Sequence, residues 1–183
     1  SSEDYWTGEL TLEHLFSNNA LFYGTLSRGV KPGGINTDTS SNLLLVAATF
    51  GTFLTSRQRF SSEVLFNKEI GVKASLLDHR LKLRLTGFHM DRYDAQLESF
   101  TYDPSTFIFT SFLDSSSDAE NYGAELEINY TINHFANVFA NVGYLETNVE
   151  QLTVFDLDIL DFRSLENRDQ AKSPNWSYNL GMN

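Results

Sequence analysis

The residues able to do chemistry are scattered in this chain. His14, His79, His89 and His134 show neither an HxxxH nor an HExxH spacing, so no histidine pair is set out for a metal. Cysteine is absent, which removes thiolate ligands and disulfides. The acidic run DLDILDFRSLENRD (156–169) has the D-x-D spacing of some calcium loops, but lacks the glycine and terminal bidentate glutamate of an EF-hand loop. It reads as a solvated loop, and no metal site is expected. No G-x-S-x-G and no plausible triad order occurs, so the chain is not expected to be an enzyme. Asn129-Tyr-Thr and Asn175-Trp-Ser match the glycosylation pattern, but both lie in expected strands. The charged residues that do show order are glutamates and lysines: Glu9, Glu13, Glu69, Lys73, Glu125 and Glu127 each sit opposite an apolar residue in an alternating run.

Period two means strand. In NYGAELEINYTINHFANVFANVGYLETN (121–148), Tyr122, Ala124, Leu126, Ile128, Tyr130 and Ile132 share one face, and Gly123, Glu125, Glu127 and Asn129 the other. The pattern resumes after Asn133-His134, which makes a hairpin. Residues 66–77 set Ile70, Val72, Ala74 and Leu76 against Glu69, Lys73 and Ser75, and 81–86 set three leucines against Lys82, Arg84 and Thr86. Similar runs occupy 4–15, 20–28 and 173–183, with indistinct faces at 20–28 and none assignable beyond Phe88. This gives about seven strands of roughly ten residues, the length that crosses a tilted bilayer path.

Three connections are short (16–19, 78–80, 133–135) and three are long (29–65, 94–120, 148–173), in strict alternation. The second long one has extended stretches of its own at 96–102 and 106–113. In an up-and-down meander the short turns gather at one end, as in outer-membrane barrels. Loops of this length are uncommon in compact domains. The apolar faces carry no charge at mid-strand, where Lys or Arg would cost about 2–4 kcal/mol. Lys68, near a long-loop end, can snorkel. Trp6, Phe66, Tyr122, Tyr144 and Trp176 fall near the long-loop ends and Tyr130 near a short turn, the places of aromatic girdles. The expected fold is therefore all-β, an antiparallel up-and-down transmembrane β-barrel.

Composition agrees. The chain has 183 residues, 24 Asp and Glu against 13 Lys and Arg, and a formal charge of −11, which argues against nucleic acid. The most apolar stretch, 43–54, is too short for a membrane helix and has Thr and Gly inside it. The start lacks a signal peptide and an initiator Met, and an odd number of strands leaves open edges, so a fragment is expected.

Four segments in order resemble TonB-dependent outer-membrane receptors. They are SRGVKPGGIN (27–36), SSEVLFNKEIGVKASLLDHRLKLRLTGFHMDRYDAQ (61–96), NYGAELE (121–127) and SPNWSYNLG (173–181). Within the second, Glu63, Glu69, Gly71, Lys73, Asp78, Arg80, Phe88 and Asp91 match the family's pattern. The resemblance implies about seven strands of a 22-stranded barrel over 1–183, with the plug domain, the TonB box and the final strands outside this sequence. It implies location in the bacterial outer membrane and active import of a scarce nutrient, most often a ferric siderophore, otherwise haem, cobalamin or an oligosaccharide. The partners implied are the TonB–ExbB–ExbD complex, membrane lipid and lipopolysaccharide, and a small-molecule ligand. No cofactor is implied; an iron chelate would be cargo. The loop 37–60 is longer and more apolar than the pattern. Alternatives are a plug-less barrel, such as a porin or adhesin, and a soluble all-β binding module.

An anionic chelate needs cations and offers flat surfaces to aromatics. Near the long-loop ends the candidates are Arg28, Lys31, Arg57, Arg59, Arg92, Tyr93 and Tyr102; each could equally be solvated or meet lipopolysaccharide phosphate. Glu69, Lys73, Glu125 and Glu127 are expected on the lumen wall, facing a plug. Gly33-Gly34 would supply turn conformations.

Overall fold

The computed structural model describes residues 4–36, 58–103, 108–156 and 161–183. All regular structure among them is β, and no helix is long and apolar enough to cross a membrane. The strands are β1 (Gly8–Ser17), β2 (Ala20–Lys31), β3 (Gly34–Ile35), β4 (Arg59–Phe60), β5 (Glu63–Leu76), β6 (Leu81–Asp103), β7 (Ile108–Asn133), β8 (Ala136–Asp156), β9 (Asp161–Arg168) and β10 (Trp176–Met182). One sheet runs β1-β2-β5-β6-β7-β8-β10, every neighbour antiparallel, with β9 also paired to β8. This is the expected meander, drawn in sequence order. The pair β3–β4 forms a small ribbon inside the first long connection.

The short turns are tight. Asn18-Asn19 joins β1 to β2, with the Asn19 amide donating to Ser17 Oγ at 3.2 Å. At the β5–β6 turn, Leu77, Asp78 and His79 all take the left-handed conformation (φ 54°, 53° and 65°). Asp tolerates it; Leu77 does so at a cost of roughly 1–2 kcal/mol. His134-Phe135 joins β7 to β8, and the Phe135 amide donates to Asn133 Oδ1 at 2.8 Å, an Asx turn.

The other two long connections are less loop-like than the alternation suggests. β6 and β7 run on as a hairpin to Asp103 and from Ile108, so the extended stretches at 96–102 and 108–113 are prolongations of the wall. β8 likewise runs to Asp156 and turns back as β9. Apolar alternation fades there because a small apolar cluster and buried polar side chains (Gln96, Ser99, Asp114, Ser117) take the place of the continuous apolar row, and pairing is held by backbone bonds.

Register fixes the faces. One cross-strand row reads Phe22, Val72, Leu85, Leu126, Val142, Tyr178, all on one side. The adjacent row on the other side reads Tyr23, Gly71, Thr86, Glu125, Gly143, Ser177. The apolar row is open, with Leu85 53% and Tyr178 85% exposed, whereas Tyr23 and Thr86 are 4% and 7% exposed. A sheet that curls crowds its inner face and splays its outer one. Here the crowded face is polar and the splayed face apolar, the reverse of a soluble sheet.

Polarity switches at the top of the wall. Above it, Ala95, Ala119 and Val149 are buried together, with Leu97 and Leu152 packed against them. That is an ordinary small apolar core, as expected where water surrounds the chain. Below it, the apolar band on β5 spans Phe66 to Leu76, about 33 Å along the strand at roughly 3.3 Å per residue. A tilt near 45° makes this about 23–25 Å in height, matching the ~25 Å apolar band of outer-membrane barrels.

Candidate functional site, a polar inner wall and its rim

The inner wall is organised by Tyr23 of β2. Its hydroxyl donates to Glu69 Oε1 at 2.7 Å and shares a hydrogen bond with Thr86 Oγ1 at 2.9 Å. The Lys73 ammonium stands 4.7 Å from the ring centroid, a cation–π contact. Gly71, directly opposite on β5, leaves room for the ring: a Cβ there would lie 2.6 Å from it. Arg84 faces Glu127 across β6–β7 at 3.8 Å. Asn137 donates to Asn129 at 2.9 Å, and Thr11 and Thr25 bond at 3.0 Å. Glu69, Lys73, Glu125 and Glu127 thus share this face, the first two joined through Tyr23. The role of Tyr23 was not apparent in a strand with indistinct faces. Leu21 falls inward and Gly24 outward, and only pairing with β5 sorts them.

The outer face carries aromatics toward the long-loop end. Tyr144 and Trp176 rings lie 5.0 Å apart, and Phe66 meets Tyr93 edge-on at 6.1 Å. Among these stand charges already engaged. Lys68 Nζ pairs with Asp91 at 2.9 Å, and His89 meets Glu120 at 2.5 Å with Tyr122 stacked on its ring. His89, Asp91 and Glu120 bring their ligating atoms within 4.8 Å of one another, but they bond to each other and to Lys68.

The proposed ligand contacts divide by position. Arg28 faces outward, its guanidinium 4.1 Å over Trp6 and 5.6 Å from Phe66, and it donates to the Trp6 carbonyl. Tyr93 also faces outward, opposite Val64. Lys31 stands at the rim opposite Glu63, and exposed Arg59 lines a recess with Tyr5, Gly33, Gly34, Ile35, Phe60 and Ser61. Gly33-Gly34 there fits against β4, where a Cβ on Gly33 would lie 2.6 Å from the Phe60 carbonyl oxygen. Arg92 points inward into a buried pair with Glu63, Nε to Oε1 at 2.6 Å. Tyr102 stands in β6 opposite Phe109, and Arg57 lies outside the described residues. Among the described residues the structure therefore brings these candidates into no single cluster.

Burial pushes the Glu63 carboxyl up; the bonds from Arg92 and from the Gln96 amide outweigh it and hold the group below the usual carboxylate range.

A wall that is apolar outside, polar inside and closed off by short turns at one end defines a transmembrane β-barrel segment. The chain belongs to the TonB dependent receptor-like β-barrel family, whose model matches residues 1–183. It is similar in fold to the ferric yersiniabactin uptake receptor FyuA from Yersinia pestis, at TM-score 0.64 and 15% identity, over 96% of this chain and 22% of that one. It is likewise similar to the ferric-catecholate import receptor Fiu from E. coli K12, at TM-score 0.62 and 14% identity, with the same 96% and 22% coverage. The ferripyoverdine receptor of the outer membrane of Pseudomonas aeruginosa matches at TM-score 0.51 and 13% identity, over 96% and 26%. The chain thus spans about a quarter or less of the length of these solved receptors.

Proposed function

We propose that this chain is part of the barrel wall and outer rim of a bacterial outer-membrane receptor that imports a ferric siderophore, energised through the TonB–ExbB–ExbD complex. The observation that carries this reading is the inverted polarity of the wall in a chain of this receptor family. A soluble binding module would have to hide the row from Phe22 to Tyr178, and nothing among the described residues covers it.

In this reading the inner face bears a plug domain. Glu69, Glu125 and Glu127 offer carboxylates to it and Lys73 an ammonium, with Tyr23 holding Glu69 and Lys73 in place. The ligand meets the rim. Lys31 and Arg59 are the cations best placed for an anionic chelate, because Arg28 and Tyr93 face the membrane side and Arg92 is committed to Glu63. Arg28 and Lys68 then stand at the level of lipopolysaccharide headgroups. The chain supplies binding and passage and no catalysis; iron travels as cargo inside its chelate.

The test is growth of the iron-starved source bacterium with the full-length gene deleted, supplied with a panel of ferric siderophores, and with haem, cobalamin and oligosaccharides in parallel. Loss of growth on one siderophore class, restored by the gene, supports the reading. Unchanged growth on every siderophore, with loss on haem, cobalamin or an oligosaccharide, replaces the cargo.

A further inference from the structure

Glu63, the partner of Arg92 at the rim, is one of the most buried charged groups in the described structure, at 5% exposure. It opens β5 at the rim, and both carboxylate oxygens are used. Oε1 accepts from Arg92 Nε at 2.6 Å, and Oε2 accepts from the backbone amide of Gln96 at 2.9 Å. That amide is free of the β6–β7 ladder because the register shifts between Arg92 and Ala95 and again before Leu97. Asp94, left-handed at φ 51°, turns the strand there, and its own amide is taken by Asp118 at 2.9 Å.

Each of the two donors reaches onward. The Gln96 side-chain amide donates to the carbonyls of Pro32 at 2.9 Å and Ser61 at 3.0 Å, tying down both ends of the first long connection. Arg92 donates through its second nitrogen to Gln170 Oε1 at 3.3 Å, and the Gln170 amide donates to Thr147 at 2.9 Å. The third long connection is thereby attached to the same carboxylate. A bulge that points one amide at a buried carboxylate is a costly local arrangement unless it is fully satisfied. Here both donors sit on β6, and their onward partners lie in the first connection (Pro32, Ser61) and in the third (Gln170).

We propose that Glu63 is a positioning residue that fixes the bases of the three outward segments, 31–36 with 58–62, 92–97 and 168–172, as one unit, so that they loosen together rather than singly. The branching is ordered. Removing Glu63 frees both donors and hence all three segments. Cutting the Arg92–Gln170 arm frees the third alone. A carboxylate that merely fastens the start of β5 would have no such hierarchy.

The test is amide hydrogen exchange of the full-length receptor in lipid vesicles. E63A is expected to raise exchange several-fold at 31–36 with 58–62, at 92–97, and at 168–172 together. The turns at 18–19, 77–80 and 134–135 should keep wild-type rates. R92K keeps a charge for Glu63 but lacks the second fork of donors, and Q170A removes the acceptor; each is expected to free 168–172 only. If E63A does not assemble, judged by heat-modifiable mobility, E63Q replaces it: its single carbonyl oxygen can accept from only one of Arg92 and the Gln96 N–H, its NH2 meets the other donor to donor, and the same three segments should loosen by a smaller factor. Exchange rising only around 60–66, or R92K freeing all three segments, overturns the proposal. The readout uses no ligand, so its failure leaves the siderophore reading standing.

Discussion

Leu85 to Arg is the most discriminating single change to the wall. Leu85 sits in the all-apolar row between Val72 and Leu126, near the middle of the band that runs from Phe66 to Leu76. Its side chain is 53% exposed and meets no polar partner on that row. An arginine at this depth on the lipid face costs about 2–4 kcal/mol, and one near an interface about 0–1 kcal/mol. At about 1.4 kcal/mol per decade, L85R should lower the folding equilibrium constant about 30- to 700-fold. Two controls share the chemistry but not the position. Asn141 lies on the inner face opposite Glu127, so N141R gains a carboxylate neighbour and should stay within about 0.5 kcal/mol. Tyr93 is outward but at the rim, so Y93R should cost at most about 1 kcal/mol beyond the lost ring contact with Phe66. The assay is reversible urea unfolding of the full-length receptor in phospholipid vesicles, followed by tryptophan fluorescence. Equal costs for L85R and N141R, or a larger cost for Y93R than for L85R, would refute the assignment of faces and depth.

Three further outcomes follow from particular contacts. G71A drives a Cβ to 2.6 Å from the Tyr23 ring and should destabilise the barrel by roughly 1–3 kcal/mol, whereas G24A, with nothing nearer than 3.9 Å, should be close to neutral in the same unfolding assay. L77G removes the left-handed strain at φ 54° and should stabilise the β5–β6 turn by up to about 1 kcal/mol, read from the same titration. The Glu63 pKa is depressed in the folded protein, so the rim bonds contribute fully at and above the ordinary carboxylate pKa and are lost as pH falls through the lowered value. Arg92 and Lys31 face Glu63, so exchange at the rim segments should rise only in acid below the usual carboxylate range, and the E63Q protein should lack that step.

The wall was legible because its chemistry is periodic. Runs such as Ile70-Gly-Val-Lys-Ala and Leu126-Glu-Ile-Asn-Tyr state their faces residue by residue, and the short Asn- and Asp-containing turns state where the chain reverses. β2 was not legible, since Gly24 and Leu21 carry no face signal and Tyr23 reads as apolar until Glu69 and Thr86 are paired beside it. His89 and Asp91 were not legible either: Phe88 interrupts the alternation, and only the pairing with Lys68 and Phe66 sends them outward. The rim lock was beyond any periodic reading. It depends on two register shifts between Arg92 and Leu97, which alter which amides point out of the ladder. Arg92 looked available for ligand on residue type and place alone; its partner lies 29 positions away.

The central claim is that the apolar face of this sheet meets lipid. It is tested most directly by a nitroxide scan of β7 from Gly123 to Tyr130 in the full-length receptor in vesicles. Ala124, Leu126, Ile128 and Tyr130 should be relaxed strongly by oxygen, which concentrates in the bilayer, and weakly by a water-soluble nickel chelate. Gly123, Glu125, Glu127 and Asn129 should be out of phase, with low oxygen access. Even-numbered positions shielded from both relaxants would mean that this face is packed in a protein core, and would contradict the account.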